Sequence, residues 1–187
     1  MSKILTTHVG SLPRTQEVVD FIFAREKEQP YDHAAFDACM TSAVSETVRR
    51  QVEAGVDIVS DGETSKISYA TYIKDRITGF AGDSDRNPPA DLQEFPGFLE
   101  RQASSGGTPS YKRPCCVGSV AVKDMQPLEE DLANFSAAVK KHSAVEGFMN
   151  AASPGVIALF QPNKHYSSHE DYLQALGEAM RAEYEAI

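Results

Sequence analysis

The sequence predicts an α/β fold organised around a parallel sheet. Short apolar runs rich in β-branched residues alternate with longer stretches in which apolar residues recur every three to four positions. The chain has 187 residues, 41% of them apolar, which is enough to bury one core. Strands that alternate with helices form either an open doubly wound sheet or part of a (β/α)8 barrel. We therefore interpret residues 1–187 as a single domain.

The first two strand–helix units have the strongest patterns. Residues 3–10 (KILTTHVG) predict a strand, and residues 16–28 predict a helix after the turn SLPRT. Asp32 is a candidate N-cap for a second, strongly periodic helix that ends at Gly55. Residues 56–63 (VDIVSDGE) are a β-branched run ending in polar residues, which is typical of a buried parallel strand next to a site.

The strand–helix rhythm is interrupted once. Residues 65–78 predict another helix, but residues 79–112 are rich in Gly, Pro and Ser and predict a long irregular insertion. We assign this insertion to the same domain because the rhythm resumes after it. Residues 115–122 (CCVGSVAV) predict the third strand.

The C-terminal part adds one more strand and two helices. Pro127 favours the start of a helix, because proline is common in the first helical turn. Residues 155–160 (GVIALF) predict the fourth strand. The last segment predicts an amphipathic helix with Ser167 or Ser168 as its N-cap.

Charge and composition narrow the class of partner. The sequence has 18 Lys and Arg against 27 Asp and Glu, a net charge of −9, which disfavours a nucleic-acid or anionic-membrane surface. No apolar run approaches the length of a membrane span, and the start MSKILTTH is too short and polar for a signal peptide. Three cysteines, two of them adjacent, do not suggest a disulfide framework. We therefore expect a cytoplasmic protein that binds small molecules or other proteins.

Polar residues follow each predicted strand. Because the carboxyl ends of parallel strands meet at one edge, we expect these residues to converge at one rim. The candidates are His8, Gly10, Ser11 and Arg14 after the first strand, Asp61, Gly62 and Glu63 after the second, Lys123 and Asp124 after the third, and Gln161, Asn163, Lys164 and His165 after the fourth.

Each candidate also has a purely structural interpretation. His8 has no nearby HxH, HxC or CxxC partner, so we assign it to no metal. The turn GSLPR matches neither a Walker loop nor a GxGxxG fingerprint, which disfavours a phosphate site. Asp61 and Glu63 either cap the following helix or bind a substrate ammonium, and both alternatives stay open. Cys115 and Cys116 begin their strand, which favours core packing over zinc or thiol chemistry.

Four motifs in order carry a family resemblance. TTHVGSLPRT, EAGVDIVSDGETSK, YKRPCCVGSV and ASPGVIALFQPNKHY resemble the cobalamin-independent methionine synthase family. They are most similar to its short single-barrel members and to the related epoxyalkane:coenzyme M transferases. The resemblance spans the whole chain. It implies a (β/α)8 TIM barrel of the methionine synthase/uroporphyrinogen decarboxylase type, here about the first four βα units.

The resemblance implies methyl or alkyl transfer to a thiol in methionine biosynthesis. A zinc-bound homocysteine thiolate would take a methyl group from a methyl-folate. The first-strand turn that binds the amino-acid part of homocysteine falls on Gly10 and Ser11, and the glutamate that meets its ammonium falls on Glu63. Flanking residues and the other strand-end carboxylate complete the expected substrate-binding set: Gly10, Ser11, Glu63, His8, Arg14 and Asp61.

The sequence also departs from the family pattern. The zinc ligands of the family, an HxC pair and a later cysteine, lie on later strands, and no HxC occurs here. Four strands cannot close a barrel, so we expect the substrate-binding half of one, completed by a missing C-terminal half or by a homo-oligomer. The alternatives are a catalytically inactive half-barrel for binding or assembly, an epoxyalkane:coenzyme M transferase-like enzyme, and a uroporphyrinogen-decarboxylase-like enzyme.

Overall fold

The computed structural model describes residues 4–84, 93–98, 101 and 113–187. Ordered segments in these ranges alternate between helices and short strands. They are, in chain order, α1 (Gln16–Glu26), α2 (His33–Glu53), β1 (Ile58–Ser60), a 3-10 helix (Tyr72–Asp75), β2 (Phe80–Ala81), β3 (Cys115–Cys116), α3 (Gln126–Lys141), β4 (Glu146–Phe148), α4 (Pro154–Phe160) and α5 (His169–Ala186).

A parallel sheet is centred on β1. This strand pairs in parallel with β4, in a register that places Ile58 opposite Glu146. Thr7 forms a parallel bridge with the same Ile58, and its neighbour Thr6 accepts hydrogen bonds from the amides of Asp57 and Ile58 at 3.1 and 3.0 Å. The second predicted strand is therefore confirmed at Ile58–Ser60, whereas the first, predicted over residues 3–10, is reduced among the described residues to the single bridge at Thr7. The described residues contain no closed barrel.

Helices α2 and α3 cover this sheet. A shared core packs the apolar face of each helix against β1, because both faces repeat with helical spacing. Its buried members are Val44, Val48, Val59, Phe135, Ala138 and Met149. A second core joins α1 to α2 through Val18, Ile22, Phe36, Met40 and Ile67. The predicted parallel α/β packing, with helices following strands, is confirmed.

Side-chain caps fix the helix starts close to the predicted positions. Asp32 accepts a hydrogen bond from the Ala35 amide at 3.1 Å and caps α2, as predicted. Ser168, one of the two predicted residues, caps α5 through the Asp171 amide at 3.0 Å. Helix α3 begins one residue before Pro127, which suits proline because the first helical amides need no helical partner.

The predicted fourth strand at residues 155–160 is wrong. This segment is helix α4, because the Ser153 hydroxyl accepts from the Val156 amide at 3.2 Å and Pro154 occupies the first helical position. The strand of this unit is β4, which pairs in parallel with β1. Its sequence lacks an apolar run, and both Glu146 and Gly147 are exposed.

Two other predicted elements differ from the structure. Within residues 115–122 only β3 is a strand, and it pairs antiparallel with β2. Cys116 also forms a parallel bridge with Asn163, but β3 does not pair with the sheet of β1 and β4. Residues 65–78 form turns and one 3-10 helix instead of an α-helix. Of the predicted insertion at residues 79–112, residues 85–92, 99–100 and 102–112 lie outside the described residues.

A third core fills the C-terminal part. Helices α4 and α5 pack against the 3-10 helix and β3, and Tyr172, Leu176 and Ile157 are fully buried there. The thiols of Cys115 and Cys116 are buried and unbridged, in agreement with the predicted core role. Among the helices in the described ranges, none combines the length and apolar character needed to cross a membrane.

Candidate functional site

The turn after β1 buries two acidic side chains. Asp61 is 3% exposed and Glu63 is 4% exposed. Gln51 of α2 fixes the end of the strand by bonding both backbone groups of Ser60, at 2.7 and 2.9 Å. The chain then turns sharply, because Gly62 and Glu63 both have positive φ angles, 63° and 53°. A glutamate in this region is strained, so the surrounding contacts hold it there.

The Glu63 carboxylate is held by two neutral donors. The Ser11 hydroxyl donates to its Oε2 at 2.6 Å, and the Asn150 side-chain amide donates to its Oε1 at 3.2 Å. No Lys, Arg or His among the residues that the structure describes forms an ion pair with this carboxylate. Because a buried charge without a counter-charge is costly, the arrangement suits a cationic ligand.

Arg14 holds the backbone of the same turn. Its Nη2 donates to the carbonyl oxygens of Glu63 at 2.6 Å and Lys66 at 2.7 Å, and its Nε donates to that of Thr64 at 3.1 Å. Burial lowers the pKa of Arg14, while the carboxylates of Glu63 and Asp61 oppose that shift. Arg14 thus lies beside Glu63, as expected, but its donors are used on the protein backbone.

The turn at Gly10 and Ser11 contains backbone amides that donate no hydrogen bond to a described residue. Gly10 has a φ angle of 99°, a conformation that glycine adopts without strain. The amides of Gly10 and Ser11 donate to no acceptor in the described part of the chain, whereas the next amide, that of Leu12, donates to Gly62 at 3.1 Å. His8 has a buried Nε2 atom that also lacks a partner there.

Asp61 stabilises the turn that contains Glu63. Its Oδ1 accepts a hydrogen bond from the Glu63 amide at 3.1 Å, and its carbonyl oxygen accepts from the Thr64 hydroxyl at 2.7 Å. Burial raises the pKa of Asp61, although Lys66 and the Glu63 amide oppose the shift. The structure is closer to the capping interpretation of Asp61 than to ammonium binding, since this carboxylate stabilises a local turn.

Asn150 and Lys66 belong to the site but were not predicted. Asn150 lies just after β4, and its backbone carbonyl accepts from the Lys66 ammonium at 2.5 Å. Lys66 is 2% exposed, and its Nζ lies 4.8 Å from the ring centroid of Tyr72. The rule that polar residues follow strands would have identified Asn150, had the strand been assigned to residues 146–148 instead of 155–160.

The remaining candidates do not join this group. The amides of Lys123 and Asp124 donate to the carbonyl oxygen of Arg76, and both residues are exposed. Gln161 donates to Ala70 at 3.1 Å. Asn163 uses its Oδ1 on the amides of His165 and Tyr166, and Pro162 and Lys164 exchange backbone hydrogen bonds with Cys116 of β3, so residues 161–165 form a structural turn away from Glu63. The predicted convergence therefore holds for the first two sets only.

A separate cleft of about 490 Å³ lies between α2 and α3. Lys66 lines it, but Ser11 and Glu63 do not. Its cation Arg76 is paired with Asp131 and Glu183, and Arg25 donates to the carbonyl of Ser65. These two cations thus have partners, whereas Lys123 and Asp37, which also line the cleft, are exposed rather than buried like Glu63.

The residues of this site do not fit a zinc ion. Zinc in proteins is held by three or four His, Cys, Asp or Glu side chains at close range. Within the described ranges, no three such side chains lie close enough together to hold a metal. Glu63 and Asp61 are each held by hydrogen bonds to their own turn or its neighbours.

Sequence comparison relates the chain to methyl-transferring enzymes. Residues 4–88 match the family model for the catalytic domain of cobalamin-independent synthase. The 5-methyltetrahydropteroyltriglutamate–homocysteine methyltransferase of Parvibaculum lavamentivorans is 30% identical over 81 residues, which are 43% of this chain and 10% of that enzyme. The methionine synthase of Sulfolobus acidocaldarius is 23% identical over 182 residues, 95% of this chain and 46% of that enzyme. The chain thus spans less than half the length of these relatives.

A solved structure gives the same fold. The B12-independent methionine synthase from Shewanella sp. W3-18-1, in complex with selenomethionine, superposes with a TM-score of 0.65 at 18% identity. The match covers 96% of this chain and 47% of that one. It confirms the TIM-barrel type of fold, of which this chain forms a part. The predicted resemblance to the cobalamin-independent methionine synthase family is therefore confirmed.

Proposed function

We propose that this chain binds the amino-acid part of a thiol substrate, homocysteine, for methyl transfer from a methyl-folate. In such a transfer the sulfur forms a bond to the methyl carbon while the bond from that carbon to the folate nitrogen breaks, and the nitrogen takes up a proton that balances the one lost by the thiol. The chain supplies the groups that hold and orient the thiol amino acid. The names of the relatives, which are homocysteine methyltransferases, support this choice of substrates.

The observation that carries the proposal is the Glu63 carboxylate. It is buried, it accepts hydrogen bonds from Ser11 and Asn150, and no cation of the described residues pairs with it. A substrate ammonium would supply the missing positive charge and form charge-assisted hydrogen bonds. These two donors also fix the direction of the carboxylate before the ligand arrives, which lowers the cost of binding.

We assign the substrate carboxylate to the turn at Gly10 and Ser11. The amides of Gly10 and Ser11 are unused within the described residues, and successive backbone amides are a common anion-binding arrangement. Ser11 connects the two halves of the ligand site, because its hydroxyl donates to Glu63 while its amide donates to no acceptor among the described residues. An α-amino acid carries both charges on one carbon, so neighbouring sites for an anion and a cation suit it.

The same charge argument separates two thiol classes. Coenzyme M, the thiol of the epoxyalkane:coenzyme M transferases that the sequence also resembles, carries a sulfonate and no ammonium. Its binding would leave the Glu63 carboxylate buried without a counter-charge. The site therefore favours a thiol amino acid over a thiol sulfonate.

An aromatic surface is available for the flat ring of a methyl-folate. Tyr69 and Phe160 meet edge to face, with ring centroids 5.2 Å apart, and Tyr69 is 51% exposed. Tyr69 follows Lys66 closely in the chain, and Phe160 ends the helix that follows Asn150. Aromatic rings stack on flat heterocycles with a gain beyond simple burial. We assign the donor ring to this pair.

The test is calorimetric titration of the full chain with homocysteine. We expect saturable binding in the wild type and a loss of about 10-fold or more in affinity in Glu63→Gln, because the variant cannot neutralise an ammonium. The matched control is Glu146→Gln, which removes an exposed glutamate at the start of β4. It should bind homocysteine like the wild type. Absence of binding in the wild type, or equal affinity in Glu63→Gln, would contradict the proposal.

A second candidate function is supported by the exposed sheet edges. Ile4, three residues before the bridge residue Thr7, is 91% exposed, and Val145, which precedes β4, is 94% exposed. Open strand edges with apolar side chains favour pairing with another chain. In this alternative the chain is a binding or assembly module, such as half of a homo-oligomer. Light scattering that gives the mass of a dimer, together with no binding of homocysteine, would favour it.

A further inference from the structure

We infer that Asn150 determines specificity by accepting a hydrogen bond from the substrate ammonium, so that the site selects thiols that carry a primary ammonium. This inference rests on the proposed function, because it concerns the same ligand. It adds a residue that lies outside both sequence motifs of the site. Its side chain would contact the ligand directly, next to Glu63.

The orientation of the Asn150 amide follows from its partner. An ionised carboxylate only accepts hydrogen bonds, so the atom 3.2 Å from Glu63 Oε1 is the amide nitrogen Nδ2. The amide oxygen Oδ1 is bonded to the same carbon and therefore lies close to the carboxylate as well. It accepts no hydrogen bond from the described residues, and it is not one of the fully buried polar atoms without a partner. A ligand at Glu63 can reach it.

The backbone of Asn150 is held in place. Its carbonyl oxygen accepts a hydrogen bond from the buried Lys66 ammonium at 2.5 Å. Lys66 lies over the Tyr72 ring, and its carbonyl oxygen accepts from Arg14, which also donates to the carbonyl oxygen of Glu63. Asn150 and Glu63 therefore keep a defined separation, which is the condition for a two-point contact with one ligand group.

The chemistry of an ammonium requires more than one acceptor. A primary ammonium has three N–H donors, and each should find an acceptor when it is buried. The Glu63 carboxylate already accepts from Ser11 and Asn150, which limits the number of further donors it can serve. Asn150 Oδ1 supplies a neutral acceptor beside it. A thiol without an ammonium gains nothing from this oxygen.

The test compares two thiols that differ only in the amine. Homocysteine and 4-mercaptobutanoate share the thiol, the chain length and the carboxylate. Calorimetric titration of the full chain should show that the wild type prefers homocysteine. In Asn150→Leu, which removes both polar atoms at similar size, we expect affinity for homocysteine to fall by about 10-fold while affinity for 4-mercaptobutanoate is unchanged.

The control is Asn134→Leu, because the amide of Asn134 pairs with Thr41 of α2 and does not contact Glu63. It should keep the wild-type preference. If thermal unfolding shows that Asn150→Leu does not fold, Asn150→Thr is titrated and should show a smaller selective loss. An equal loss for both thiols, or an unchanged preference, would overturn the inference. A wild type that binds homocysteine no better than 4-mercaptobutanoate would instead contradict the proposed function.

Discussion

Two polar turns of this chain differ in how they use their polar atoms. In the turn at residues 61–66, the buried Glu63 carboxylate forms no ion pair with a described Lys, Arg or His side chain, although the Arg14 guanidinium interacts with it at longer range. In the turn at residues 161–165, Asn163 spends its side chain on the amides of His165 and Tyr166 and on the carbonyl of Tyr166. The difference teaches that an unbalanced buried charge, and not polarity alone, indicates a ligand site.

The largest expected effect is on the stability of the turn at residues 61–66. Arg14→Ala removes the donor of three backbone carbonyls in that turn, two of them through one Nη2 atom. Leaving these acceptors unsatisfied should lower the free energy of unfolding by about 3 kcal/mol. Urea unfolding measures it. The matched control is Arg181→Ala, whose side chain is 61% exposed, and which should cost less than about 0.5 kcal/mol. Similar costs for both would show that the turn is not held by Arg14.

A somewhat smaller effect is expected at Gly62. A Cβ atom there would lie 2.9 Å from Thr47 and 3.1 Å from Leu12, and its φ angle is positive. Gly62→Ala should therefore cost about 2 kcal/mol in the free energy of unfolding, combining strain with crowding. Gly55 also has a positive φ but nothing within 4 Å, so Gly55→Ala should cost about 1 kcal/mol. If both variants lose the same free energy of unfolding in urea, crowding makes no contribution at the turn that contains Gly62.

The turn at residues 161–165 offers a test that separates an effect on stability from an effect on ligand binding. Asn163→Ala removes four hydrogen bonds to the backbone of His165, Tyr166 and Ser168 and should lower the free energy of unfolding by about 1 kcal/mol. Because this turn does not contact Glu63, homocysteine affinity should be unchanged. A loss of affinity in calorimetry would mean that the two turns are coupled, and the contrast between them would fail.

The smallest effect concerns pH. Burial raises the pKa of Asp61, so the native state binds this proton more tightly than the unfolded chain does. The resulting contribution to stability is present below the ordinary Asp pKa of about 3.9 and is lost as pH rises through the raised value. In Asp61→Asn this contribution is absent, while an oxygen remains for the Glu63 amide. Urea unfolding from about pH 4 to about pH 8 should show the wild type losing stability relative to the variant.

Much of the first half of the fold could be predicted because its signals are local. Asp32 caps α2 as its sequence position predicts, and β1 follows from a β-branched run. Residues 155–160 misled because a short apolar run suits a buried strand or a buried helix equally well. The preceding Ser153–Pro154 pair, a cap and a first-turn proline, would have favoured the helix.

The candidate site could be predicted only in part. Glu63 and Ser11 lie in motifs that follow strands, so topology brings them together. Asn150 was missed because β4 has no apolar run, and its pairing with β1 depends on residues far away in the chain. The role of Arg14 could not be foreseen, since a sequence does not show whether a guanidinium binds a ligand or its own backbone.

The pairing of β1 with β4 has a consequence for how the chain comes together during synthesis. Ile58 leaves the ribosome long before its partner Glu146. At typical translation speeds this delay is on the order of 10 s, during which one edge of β1 has no parallel neighbour. Helix α2, joined to β1 through Val48 and Val59, can cover the nascent strand in that interval. The Glu63 turn is then completed only when Asn150 arrives, so its hydrogen bond to this amide cannot form before β4 has been synthesised.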